Sequence, residues 1–243
     1  AYLAYSNLEG MMDLTENMFQ KIANDVNEYN IALWNELKSK GFDGIEKEWS
    51  KYFDILKSPE DFYYIQVIQR KKDGHRKSER IIKNFYIYNK EEFLNKKDHI
   101  IDLCEKYNAR AYFWINPRNA RKIAFECIKS YVDLVNQRDC TKGYKMWDKK
   151  CRANPSSDYD TLWIVDLDTK DRGLLSILVD RINKCRAKYP DITRDIISTA
   201  NGYHIITIGF DLHQFKQILI IEGIDYLDVH KDNPTLLYYA KDV

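Results

Sequence analysis

Between Asp13 and Leu37 the apolar residues Leu14, Met18, Ile22, Val26, Tyr29, Leu33 and Leu37 recur at helical spacing. The stretch "SKGFDG" closes that helix, and a shorter amphipathic segment follows through Trp49, Phe53 and Leu56 before the breaker "KSPEDF". Residues 1–60 therefore read as a helical appendage without visible chemistry. At Phe62 the period changes. "FYYIQVIQ" and "RIIKNFYIY" are rich in β-branched and aromatic residues, and the polar "RKKDGHRKSE" between them predicts a hairpin. A helix through "NKEEFLNKKDHIIDLCEKY" and the strand "RAYFWIN" come next. A second helix then sets Ile123, Ala124, Cys127, Ile128, Tyr131, Val132 and Val135 on one face. Residues 138–160 read as an irregular connection, broken at Asn154-Pro155-Ser156.

The second half opens on "TLWIVDLD", an apolar run that predicts a strand inside a sheet. A helix carries Leu174, Leu175, Leu178, Val179, Ile182 and Cys185 and ends before Pro190. "TRDIIST" and "YHIITIG" form strands on either side of "ANG", and Asp211 is placed to cap a helix running to about Leu219. "DYLDVH" and "TLLYYA" are expected to finish the chain as a hairpin over "KDNP". The order ββαβα followed by βαββαββ predicts an α+β fold with a mixed or antiparallel sheet. Residues 61–243 form the expected main domain.

Composition narrows the picture a little. Among 243 residues, 38 Lys and Arg face 37 Asp and Glu, so any surface for a polyanion must be local. Five widely spaced cysteines, with no C-x-x-C pair, predict reduced thiols in a cytoplasmic protein. No apolar run approaches the ~20 residues of a membrane span, and no signal-peptide pattern opens the chain.

The candidate chemistry lies in three strands. In "IVDLDTKD", Asp166 and Asp168 project from one strand face while Leu167 points the other way. Two adjacent carboxylates repel, and a hard divalent cation such as Mg²⁺ or Mn²⁺ would relieve that conflict. A strand ending in a solvated acidic loop gives the same pattern. In "IDYLDVHKDNP", Asp228 and His230 share a face. Asp228 is a better third carboxylate than Asp225 or Glu222, because Leu227 and Val229 flank it in the alternating pattern. His204 stands between these strands in "STANGYHIIT", behind Gly202. It could donate to an anionic ligand, with Gly202 allowing close backbone approach. A structural histidine at a hairpin would look alike.

In this order, "IVDLD", "STANGYH" and "YLDVHKDNPTLLYY" resemble the three motifs of the archaeo-eukaryotic primase superfamily, in particular the small prim-pol enzymes of plasmids and phages. "AYFWINPR" is similar to a strand in the N-terminal half of those enzymes. The resemblance implies an RRM-like catalytic half and two-metal, template-directed nucleotidyl transfer by a DNA primase/polymerase. Asp166, Asp168 and Asp228 would hold Mg²⁺ or Mn²⁺, and His204 would contact the incoming nucleotide. Gly202 and Ser198 belong to the second motif. His230 or Lys231 would replace the family's usual Arg at the triphosphate, and Asn116 and Arg118 would contact nucleotide or template. The implied partners are nucleoside triphosphates, single-stranded or primed DNA and a replicative helicase, in a bacterial host of a phage or other mobile element. As no further domain follows Val243 and no Met opens the chain, a fragment or an extension-only enzyme is expected.

The cluster Arg70, Lys71, Lys72, Arg76, Lys77 and Arg80 on the first hairpin could track a nucleic-acid backbone or simply be solvated. Two alternatives to nucleotidyl transfer share these residues: a metal-dependent nuclease, and a non-catalytic nucleic-acid-binding domain.

Overall fold

The computed structural model describes residues 49–71, 78–138, 140–141, 143–188, 192–199, 201–224 and 227–239. The helix expected over 13–37 and the tip of the basic hairpin lie outside these residues. Nine strands and five helices follow one another in the order β1 (Asp61–Gln69), β2 (Arg80–Ile87), α1 (Lys90–Tyr107), β3 (Arg110–Trp114), β4 (Arg118–Asn119), α2 (Ala120–Asn136), α3 (Met146–Ala153), β5 (Leu162–Leu167), α4 (Arg172–Asn183), β6 (Thr193–Ser198), β7 (Tyr203–Ile208), α5 (Leu212–Ile221), β8 (Asp228–His230) and β9 (Pro234–Tyr239) among the described residues. Residues 49–53 are also helical.

Polar side chains set the helix ends. Asn89 accepts from the Glu92 amide at 2.8 Å, and the Glu92 carboxylate takes the Tyr88 amide at 2.9 Å, a reciprocal cap that starts α1. Asn108 ends α1 in the left-handed region at φ 45°, which Asn tolerates better than most residues. Asp171 and Asp211 accept the first amides of α4 and α5.

The strands form two antiparallel sheets, where the sequence predicts one, in an α+β architecture. The first has the order β2-β1-β3-β9, with β4 on β1; the second has the order β6-β7-β5-β8. The second sheet with α4 and α5 reads β-α-β-β-α-β along the chain, a split βαβ arrangement. Alternation along β1 sends Phe62 and Tyr64 to one face, where Ile123, Cys127, Met146 and Cys151 of α2 and α3 cover them. Tyr63, Ile65 and Val67 face the other way. They pack with Trp49, Phe53 and Phe93, and with Ile164, Ile197 and Ile206 of the second sheet. The far face of that sheet buries Val165, Leu167 and Ile205 against Leu175, Leu178 and Phe215. The layers thus run helices, sheet, aromatic core, sheet, helices.

Two expectations need correction. β8 and β9 do not form a hairpin: β8 pairs with β5 and β9 with β3, so residues 231–233 carry the chain from one sheet to the other. Along the apolar stripe of α2, Ile123 and Cys127 are covered while Ile128, Val132 and Val135 are exposed. Helical spacing shows which residues share a face, but not whether a partner covers it. Residues 138–160 contain the short helix α3; its charged sequence "MWDKKCRA" hides the two residues that anchor it, Met146 and Cys151.

The crossover is locked by buried polar bonds. Arg118 is 0% exposed. Its Nη2 donates to both carboxylate oxygens of Asp232 at 3.2 and 3.0 Å, its Nη1 to the Asn116 carbonyl at 2.7 Å, and its Nε to the Cys151 carbonyl. Burial lowers the Arg118 pKa from its ordinary value, and the Asp232 carboxylate opposes that shift. Asn116 accepts from the Leu162 amide at 2.7 Å and donates to the Leu162 carbonyl and to Asp232, each at 3.0 Å. These two side chains join the strand ends of both sheets.

Candidate active site

A cleft of about 480 Å³ opens where the two sheets face each other. One wall carries Ile68, Arg70, Glu79, Arg110 and Tyr112; the other carries Ile164, Asp166, Asp168, Thr199, Asn201, His204 and His230. The volume falls within the range of roughly 300–1,000 Å³ usual for small-molecule sites.

The acidic wall follows from strand register. In the antiparallel ladders His204 lies opposite Asp166, and Asp166 lies opposite Asp228, so one row crosses β7, β5 and β8. His204 Nε2 is 3.4 Å from Asp166 Oδ1, and His204 Nδ1 shares a 2.7 Å hydrogen bond with Thr235 Oγ1. Thr235 is fully buried on β9, so the first sheet orients a histidine of the second. Asp168 lies just past β5 and is exposed, and Asp228 is also exposed. Among the described residues, no three His, Cys, Asp or Glu side chains are grouped to hold a metal ion.

Packing alone requires a glycine at position 202. A Cβ there would lie 1.8 Å from the Leu167 carbonyl oxygen and 2.7 Å from the Thr169 nitrogen. The turn before it is closed by Thr199 N to Gly202 O at 2.9 Å and by Gly202 N to Thr199 Oγ1 at 3.0 Å. This turn therefore presses on the backbone that presents Asp168. Ser198 is exposed at the end of β6.

The remaining expected site residues divide. His230 lines the cleft. Lys231 lies over the Trp163 ring at 5.0 Å, and Trp163 packs with the core beneath α4 and α5. Asn116 and Arg118 are buried in the crossover, with their polar groups bonded inside the protein. Sequence reasoning missed Arg110, Tyr112 and Thr235. The first two alternate along "RAYFW" and could have been read as one polar face; nothing in "PTLLYY" marks Thr235 as the partner of a histidine.

A family model described as D12 class N6 adenine-specific DNA methyltransferase matches residues 11–142. No curated protein and no solved structure matches the chain. The family match overturns the primase resemblance and with it nucleotidyl transfer, primase/polymerase activity, catalytic Mg²⁺ or Mn²⁺, nucleoside triphosphates as substrates and a helicase partner. The nuclease and the non-catalytic binding domain gain no support from it. The three weak motifs share their spacing with a primase, but acidic and histidine residues at strand ends serve many chemistries. Among the described residues no helix is long and apolar enough to cross a membrane. Since the match takes in more than half of the chain, the protein belongs to the D12 class N6 adenine-specific DNA methyltransferase family.

Proposed function

We propose that this protein transfers a methyl group from S-adenosylmethionine to the N6 atom of adenine in DNA, and that the cleft between its two sheets is the reaction site. The observation that carries this reading is the family match over residues 11–142, a span that supplies the Arg70, Arg110 and Tyr112 wall of the cleft.

The residues of the cleft fit the methyl donor by chemistry. S-adenosylmethionine joins a sulfonium and an ammonium cation to a carboxylate, a ribose diol and an adenine ring. Asp166 and Asp168 suit the cationic and diol parts, since carboxylates accept hydrogen bonds and attract positive charge. Tyr112, Ile164 and Leu236 offer aromatic and apolar surface for a base. The bound donor would supply an electrophilic methyl group. His204, held between Thr235 and Asp166, has a fixed ring orientation at the centre of the acidic wall.

The test combines DNA rich in adenine with S-adenosylmethionine labelled in its methyl group, followed by nucleoside analysis. Labelled N6-methyladenine is expected, with donor binding weakened in Asp166→Asn and Asp168→Asn by calorimetry. Absence of N6-methyladenine from protein that binds both the donor and DNA would overturn the proposal.

A further inference from the structure

Arg70 stands at the mouth of the cleft, one residue beyond β1. The β1–β2 ladder carries a bulge between Val67 and Ile68, and past it both Ile68 and Arg70 line the cleft. Tyr112 on β3 fixes the guanidinium: Arg70 Nη1 donates to the Tyr112 hydroxyl at 3.0 Å, and the guanidinium carbon lies 5.9 Å from the ring centroid. The ion pair with Glu79 is looser. Arg70 Nε is 3.6 Å from Glu79 Oε1, beyond normal hydrogen-bond distance, and the Glu79 side chain is 61% exposed. A well-positioned cation thus faces a loosely held anion at the opening of the cleft.

We infer that Glu79 is a placeholder for a DNA phosphate, and that Arg70 exchanges Glu79 for that phosphate when DNA enters the cleft. This rests on the proposal that the protein acts on DNA. A guanidinium matches a phosphate in two-pronged geometry, which the long contact with Glu79 does not provide. Each phosphate neutralised also releases condensed counterions, a gain that the internal pair cannot offer. The acidic wall opposite, with Asp166 and Asp168, repels phosphate, so the DNA backbone is kept to the Arg70 side. Glu79 serves a second purpose before binding: it weakens attachment to anions that cannot displace it.

Fluorescence anisotropy with a labelled DNA duplex, over a salt series and without methyl donor, tests the exchange. Arg70→Gln is expected to weaken binding and to reduce the slope of log affinity against log salt by about one. Glu79→Gln is expected to strengthen binding several-fold, most at low salt. Tyr112→Phe, which keeps the ring and removes the anchoring hydroxyl, is expected to weaken binding without lowering the thermal midpoint. Unchanged affinity in Glu79→Gln, or an unchanged salt slope in folded Arg70→Gln, overturns the inference. Because no methyl donor is present, failure of the methyl-transfer proposal would show as DNA binding that obeys these rules without N6-methyladenine being formed.

Discussion

Arg118 and Asp232 form an ion pair between the end of the first sheet and the link into its last strand, with the Arg118 side chain completely shielded from water. The pair is satisfied on nearly every side by carbonyls and by Asn116. Removing Arg118 leaves the Asp232 carboxylate bonded to Asn116 but without its counter-charge. Such losses cost about 3–5 kcal/mol in protein interiors. Arg118→Ala should therefore lower the unfolding free energy by about that amount in urea titration, whereas a solvated Arg such as Arg121 should change it little on replacement with Ala.

Gly202→Ala probes a different limit. The added methyl would fall 1.8 Å from the Leu167 carbonyl oxygen, a backbone atom that cannot swing aside. Overpacking of this kind costs roughly 1–3 kcal/mol. The backbone around Asp168 must move to relieve it, so the variant should lose both thermal stability and affinity for S-adenosylmethionine. Full donor affinity in Gly202→Ala would separate this turn from the cleft.

Thr235→Val keeps the shape of a buried β9 residue but deletes the hydroxyl bonded to His204 Nδ1. The expected stability loss is about 0.5–1.5 kcal/mol, the usual net worth of a hydrogen bond. Nitrogen NMR of the imidazole should show a changed tautomer balance, since the bond at one ring nitrogen fixes where the other carries its proton. An unchanged ring spectrum would mean that Asp166 orients His204 unaided.

Buried thiols predict the alkaline limit of the fold. Burial pushes Cys104 and Cys151 up to about 12 and Cys185 up to about 11, from an ordinary value of 9.0. The folded protein therefore holds protons that the unfolded chain releases above pH 9. Stability contributed by these thiols is complete below pH 9 and falls as pH rises towards 11 and 12. Urea midpoints measured on either side of pH 9 should decline with pH. A thiol reagent should label exposed Cys140 well before the buried four.

Much of the fold was legible in local pattern. The change from helical to alternating period at Phe62, the Asp211 cap and the apolar "TLWIVDL" all became elements close to where the sequence places them. What local pattern could not convey was pairing. "DYLDVH" and "TLLYYA" look like hairpin strands because they are adjacent, yet their hydrogen-bond partners lie in β5 and β3. The candidate site shows the same division. Asp166, Asp168, His204 and His230 meet at one cleft as their strand positions suggest, since a shared face is a local property. Asn116 and Arg118 are marked by the resemblance of "AYFWINPR" alone; local pattern does not show that Asp232 arrives from a distant stretch to bond both.

The placement of β9 has a consequence for biosynthesis. Strand β3 receives one of its two neighbours from β9, more than a hundred residues later in the chain. The segment that matches the methyltransferase family therefore leaves the ribosome with an open sheet edge, inviting unwanted pairing until the last strand emerges. A piece cut at residue 142 would keep that edge bare, so soluble material should require the stretch through Tyr239.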